Sequence, residues 1–174
     1  MQNLSMNKMP DLDGGHVVNR SDAGGKKPRI DLIKEKVNQF AARNGRRPRV
    51  LVSHIGPGGQ RRTLNQIAAI FARWGFDVDI GAISQSPHQT ALTAIDNDVH
   101  MICLLNDGEH QSQVGNDLID FLKAHNCEDI LVIFSGHPGA IENLRPTYSG
   151  RFAPVGFYPV TAESDILSIL DKLS

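Results

Sequence analysis

Apolar residues recur along the chain with two different periods. Short, mostly apolar segments lie at 50–52, 78–80, 99–105 and 130–134, with a weaker one at 153–156. Between these runs, apolar residues repeat at steps of three and four, as in Leu64, Ile67 and Phe71. The first pattern is typical of buried strands, and the second is typical of helices that bury one face. The chain is therefore predicted to alternate between strands and helices.

The alternation predicts a flavodoxin-like, doubly wound, five-stranded parallel α/β sheet with helices on both faces. Helices are predicted over 30–43, from about 63 to 74, from Ser86-Pro87 onward, around Val114 and Leu118, over 139–145 and over 162–173. Ligands of such sheets bind at the carboxyl ends of the strands. The loops to inspect are therefore 54–63, 105–112, 135–140 and 156–162.

Composition and charge predict how the chain is divided into domains and which partners and compartments it favours. Residues 1–28 are polar and Gly-rich, so they are predicted to be a flexible tail or linker, and residues 29–174 are predicted to form one domain. The net charge of −1 favours neither nucleic acid nor membrane as a partner. No apolar run approaches the roughly 18 residues of a membrane span. Cys103 and Cys127 lie in or beside buried elements, as in a reducing compartment, and a cytoplasmic protein is expected.

Several segments carry a family resemblance. They read RRPRVLV at 46–52, GFDVDIG at 75–81, NDVH at 97–100 and EDILV at 128–132, with IKEKVNQF at 33–40 before them. In this order they resemble the cobalamin-binding domain of the methylmalonyl-CoA mutase family, over roughly residues 30–172. The resemblance implies the same α/β fold that the periodicity predicts.

The resemblance also implies a cofactor site with altered residues. In the family, a histidine in an Asp-x-His-x-x-Gly loop after the first strand ligates cobalt, and the acid orients the imidazole. The equivalent positions here hold Gly58, Gln60 and Thr63. A glutamine amide lacks the imidazole lone pair, so no cofactor is expected, and adenosylcobalamin is the cofactor to test. The positions equivalent to the family's pocket are Gly58, Gln60, Arg61, Thr63, Leu105, Asn106, Ser135, Gly136, Tyr158 and Thr161.

Other residues near these loops offer alternative chemistry. His54, at the end of the first strand, is a weak candidate to replace the missing imidazole ligand. The glycine-rich segment 56–59 with Arg61 and Arg62 could bind an anion at a helix N-terminus. His110 and His137 lie on loops at the same predicted edge as His54, but their spacing matches no known metal site.

The sequence therefore predicts a domain without catalytic residues of its own. A radical isomerisation needs a barrel that encloses its intermediates, which a domain of this kind lacks. The first hypothesis is an accessory domain of a cobalamin-dependent acyl-CoA mutase, an isomerase, which pairs with a larger mutase subunit or barrel domain. A cobalamin or small-ligand binding module with an altered pocket is the alternative. An enzyme with new chemistry in the loops and a homo-oligomer stay open.

Overall fold

The computed structural model describes residues 28–105, 111–135, 152–155 and 162–173. The predicted tail before residue 28 and the predicted helix over 139–145 lie outside these ranges. The described elements are α1 (Arg29–Asn44), β1 (Arg49–His54), α2 (Arg61–Trp74), β2 (Asp77–Ile80), α3 (Pro87–Asp96), β3 (Met101–Leu105), α4 (Gln111–Ala124), β4 (Leu131–Ser135), β5 (Phe152–Val155) and α5 (Ala162–Leu173).

The strands of the described ranges form one parallel sheet in the order β2-β1-β3-β4-β5. From β1 the chain first adds β2 on one side and then crosses to add β3, β4 and β5 on the other. This order is the flavodoxin-like one, and it confirms the predicted fold class. The direction of winding reverses between β1 and β3, which is where such sheets open a crevice for ligands.

Strand side chains alternate between two apolar layers because successive residues of a strand point to opposite faces. Val50, Val52 and Cys103 face α1, α2 and α5, whereas Leu51 and Ile102 face α3 and α4. Both faces of the central strands are therefore buried, which explains why their sequences are nearly continuous apolar runs.

Local hydrogen bonds set the starts of α2 and β3, and both starts differ from the predicted ones. α2 begins at Arg61 and not at residue 63, because the Thr63 and Leu64 N–H groups both donate to the carbonyl of Gln60. β3 begins at Met101 and not at residue 99. The N–H of Val99 donates back to the carbonyl of Ala94, so this residue still belongs to the turn that ends α3.

The remaining composition-based expectations concern the cysteines and the membrane. Cys103 is fully buried, and burial raises the pKa of its thiol, whereas Cys127 is half-buried. Among the described helices, none combines the length and apolar character needed to cross a membrane.

Candidate functional site

The parallel register brings three strand ends together at the carboxyl edge of the sheet. His54 of β1 pairs with Leu105 of β3, which pairs with Ser135 of β4. Leu105 is buried, and its carbonyl accepts a hydrogen bond from the N–H of Ile55 at 3.1 Å. The described strand ends next to the predicted pocket positions therefore lie side by side at this edge.

The loop after β1 starts as an extension of the sheet. Ile55 forms a parallel bridge with Gln85 of the β2–α3 loop, and the N–H of Gly56 donates to the carbonyl of Gln85 at 3.4 Å. Beyond this point the backbone turns through Gly56 and Gly58, whose φ angles are 89° and 95°. The loop 55–60 is therefore bonded both to β3 and to the β2–α3 loop before it enters α2.

His54 lies beneath this loop and does not reach the surface. Its side chain is 3% exposed. A Cβ placed on Gly59 would stand 2.6 Å from Nδ1 of His54, so the glycine backbone lies directly against the imidazole ring. The structure thus covers the imidazole that the sequence offered as a substitute metal ligand.

The residues that follow are exposed at the start of α2. Gln60 is the N-cap residue of the helix, yet its side chain makes no capping hydrogen bond. Gln60 and Thr63 are both exposed. Arg61 turns its guanidinium toward β2, where Nη1 donates to the carbonyl of Gly81 at 3.2 Å. Of the two arginines considered for an anion site, Arg61 therefore already has a backbone partner.

Several predicted positions lie outside the described residues. These are Asn106, Gly136, Tyr158 and Thr161 of the family pocket, together with His110 and His137. For Ser135 the structure describes the backbone pairing only. Across the described ranges, no three His, Cys, Asp or Glu side chains group closely enough to hold a metal ion.

The structure adds a buried polar cluster that sequence reasoning missed. Ser53 and Thr90 are 0% exposed, and their hydroxyl oxygens are 3.3 Å apart. Ser53 also donates to Oε1 of Gln85 at 3.0 Å. The available signal was a serine directly after the apolar run 50–52, where a buried hydroxyl must find a partner in the core.

A second polar group lies at the opposite, amino-terminal edge of the sheet. The N–H of Arg49 donates to Nδ1 of His100 at 2.9 Å, and the His100 ring packs edge-on against Phe40. Burial, and then the positive charge of Arg46, lower the pKa of His100. A hydrogen bond from Arg46 lowers the pKa of Asp98. These groups stabilise the edge that faces away from the candidate site.

Sequence comparison links this fold to one group of enzymes. No protein-family model matches the chain. The chain is 34% identical over 148 residues to the probable methylmalonyl-CoA mutase large subunit of Mycobacterium tuberculosis, covering 84% of this chain and 20% of that protein. It is 41% identical over 104 residues to the methylmalonyl-CoA mutase of Cereibacter sphaeroides, covering 60% of this chain and 15% of the mutase. The chain thus spans a fifth or less of the length of these curated relatives.

Comparison with solved structures supports the same fold. A cobalamin-binding protein from Desulfitobacterium hafniense DCB-2 matches with a TM-score of 0.56 and 14% identity, over 84% of this chain and 69% of that one. At this identity the match shows the fold alone. Together, the sequence relatives and the shared fold confirm the predicted resemblance to the cobalamin-binding domain of the mutase family.

Proposed function

We propose that this chain, which is homologous to one segment of the methylmalonyl-CoA mutases, is an accessory domain of a cobalamin-dependent acyl-CoA mutase. It keeps the cobalamin-binding fold and does not ligate cobalt. Its partner is a larger mutase subunit or barrel domain, which supplies the catalytic residues and the substrate specificity. The observation that carries the proposal is the loop after β1, which presents a glutamine where the family resemblance places the cobalt-ligating histidine.

Gln60 is accessible enough to meet a ligand but has the wrong donor group. Its side chain is exposed at the start of α2 and makes no capping hydrogen bond. An imidazole offers a nitrogen lone pair suited to a transition metal, whereas a primary amide offers mainly a carbonyl oxygen, which suits harder cations. A cobalt centre above this loop would therefore gain little from Gln60.

The imidazole of His54 is not placed to replace the missing cobalt-ligating histidine. His54 is buried under Gly59, so it could meet a ligand above the loop only if the glycine backbone moved away. Substitution of the lost ligand by His54 is thus disfavoured by the packing of the loop itself.

The backbone conformation at Gly58 also disfavours a cobalt-ligating loop of the family's kind. This is the position of the motif's acid, and its φ of 95° lies where side chains with a Cβ are strained. The loop conformation therefore suits glycine better than the aspartate that would orient a cobalt-bound imidazole. The described residues do not fit a cobalt centre held in the family's manner, and no catalytic step through cobalamin follows from them.

A cobalamin titration tests the loss of ligation. Purified protein is titrated with hydroxocobalamin and with adenosylcobalamin, and visible absorbance and calorimetric heat are recorded. We expect neither a ligand-exchange shift nor heat, while a mutase that carries the complete motif serves as the positive control. A histidine-type spectral shift with this protein would contradict the proposal. Heat without a spectral change would favour the alternative, a binding module with an altered pocket.

A mixing experiment tests the accessory role separately. The protein is combined with a methylmalonyl-CoA mutase catalytic chain encoded in the same genome, and light scattering measures the mass of the eluted species. A complex of the two chains is expected. Elution of both chains as unmixed species would contradict the accessory role, whatever the titration shows.

A further inference from the structure

Gln85 joins the β2–α3 loop to β1 and to the loop that follows β1. Its backbone pairs with Ile55, and its carbonyl accepts the N–H of Gly56 at 3.4 Å. Gln85 lies in the β2–α3 loop, 32 residues from Ser53, with which its side chain is also bonded. The residue therefore contacts β1 through its amide and the loop that follows β1 through its backbone.

The amide of Gln85 completes a chain of hydrogen bonds with one consistent direction. Thr90 can donate to Ser53, and Ser53 donates to Oε1 of Gln85 at 3.0 Å. Nε2 of Gln85 then donates to the hydroxyl of Thr93 at 3.4 Å, and that hydroxyl donates to the carbonyl of Gln89 at 2.8 Å. Because the Ser53 hydroxyl, the Gln85 amide and the Thr93 hydroxyl each donate and accept, these bonds reinforce one another. Loss of the amide would leave the buried Ser53 hydroxyl short of a partner.

The space for this amide depends on Gly81. A Cβ on Gly81 would stand 2.8 Å from Oε1 of Gln85 and 2.9 Å from Oγ of Ser53. The carbonyl of Gly81 in turn accepts the guanidinium of Arg61. The end of β2 therefore leaves room for the Gln85 amide, and it is bonded to the beginning of α2 through Arg61.

We propose that Gln85 is a positioning residue that fixes the loop 55–60 against the sheet and thereby keeps His54 covered by Gly59. The proposal rests on the proposed function only in treating this loop as the former cobalt-ligand loop. Backbone bonds from Ile55 to Leu105 and from Gly56 to Gln85 hold the start of this loop. The side-chain amide of Gln85 bonds to Ser53 of β1 and so keeps the backbone of Gln85 in place to accept the Gly56 N–H.

Hydrogen exchange on the purified protein tests the positioning role. Gln85→Met keeps the length of the side chain and removes both amide hydrogen bonds. We expect the amides of Ile55 and Gly56, which donate to the carbonyls of Leu105 and Gln85, to exchange roughly tenfold faster or more. Loss of the bond to Ser53 would let the backbone of Gln85 move away from β1 and open these bonds. Gln66→Met, at an exposed position of α2, is the matched control and should leave exchange unchanged. Thr93→Val removes the acceptor of Nε2 and should act in the same direction as Gln85→Met.

The accessibility of His54 provides a second readout. Modification by diethyl pyrocarbonate, located by peptide mass spectrometry, should be faster at His54 in Gln85→Met than in the wild-type protein. Loop exchange that stays at the wild-type rate would overturn the proposal. So would an equal acceleration throughout the domain, which indicates general destabilisation. Cobalamin ligation by the wild-type protein would refute the proposed function and leave these exchange results as they are.

Discussion

At the scale of single residues, Gly59 is a position beside the candidate site where the packing leaves no room for a side chain. A Cβ there would stand 2.6 Å from Nδ1 of His54 and 2.9 Å from Cγ2 of Ile83. Gly59→Ala should therefore lower the free energy of unfolding by about 1–3 kcal/mol, as overpacking does elsewhere. Urea denaturation measures this change. In a His54→Ala background the same substitution should cost clearly less, and equal costs in both backgrounds would contradict direct contact as the cause.

The lowered pKa of His100 predicts that the stability of the fold depends on pH. Its folded-state pKa lies below the ordinary value of 6.5, because burial and then Arg46 disfavour the imidazolium, while Asp98 and Asp129 oppose them and Arg49 adds to the lowering. The unfolded state therefore binds the proton more readily. The contribution of His100 to stability is complete above its unfolded pKa of about 6.5. It declines as the pH falls from there toward the folded pKa.

The measurement compares urea midpoints of wild-type protein and His100→Gln at several values between about pH 7.5 and 5. The wild-type free energy of unfolding should fall more steeply with decreasing pH than that of the variant. Parallel curves would show that protonation of His100 does not destabilise the fold. The bond from the Arg49 N–H to Nδ1 explains the expected difference, since a protonated Nδ1 cannot accept it.

At the scale of elements, the sequence predicted the order of strands and helices better than their ends. The apolar run 50–52 predicts β1, but β1 extends from Arg49 to His54 because its parallel pairing with β3 continues to Leu105. The polar residues Ser53 and His54 gave no strand signal. Pairing with a distant segment, which local periodicity does not contain, decides where such a strand ends.

The candidate site shows the same division between local and distant information. The motif positions Gly58, Gln60 and Thr63 could be located from the family resemblance. In the structure Gly58 lies in the loop after β1, Gln60 is the N-cap of α2 and Thr63 lies in the first turn of that helix. The burial of His54 and its contact with Gly59 could not be predicted, because a strand-end histidine is as compatible with exposure as with coverage. The bonds of Gln85 join segments 32 residues apart, and no spacing rule marks such a pair.

At the scale of the whole molecule, α1 packs as part of the domain although it precedes the first strand. It contacts α2 and α5, and its Ile33 belongs to the same buried cluster as Trp74 and Ile169. Since Ile33 is 0% exposed, Ile33→Ala should lower the free energy of unfolding by about 2–5 kcal/mol. Leu32, its neighbour on the same helix, is 36% exposed, so Leu32→Ala is the matched control and should change stability by less than about 0.5 kcal/mol.

Two probes show whether α1 and the sheet unfold together. Trp74 is the single tryptophan of the chain, and it is buried where α2 meets this cluster, so its fluorescence reports the packing on that face of the sheet. Far-ultraviolet circular dichroism reports all helices. If α1 is integral, Ile33→Ala shifts both urea transitions to the same lower midpoint. A helical signal that is lost first, with the Trp74 transition unmoved, would show instead that α1 is an appendage, and the domain would then begin at β1.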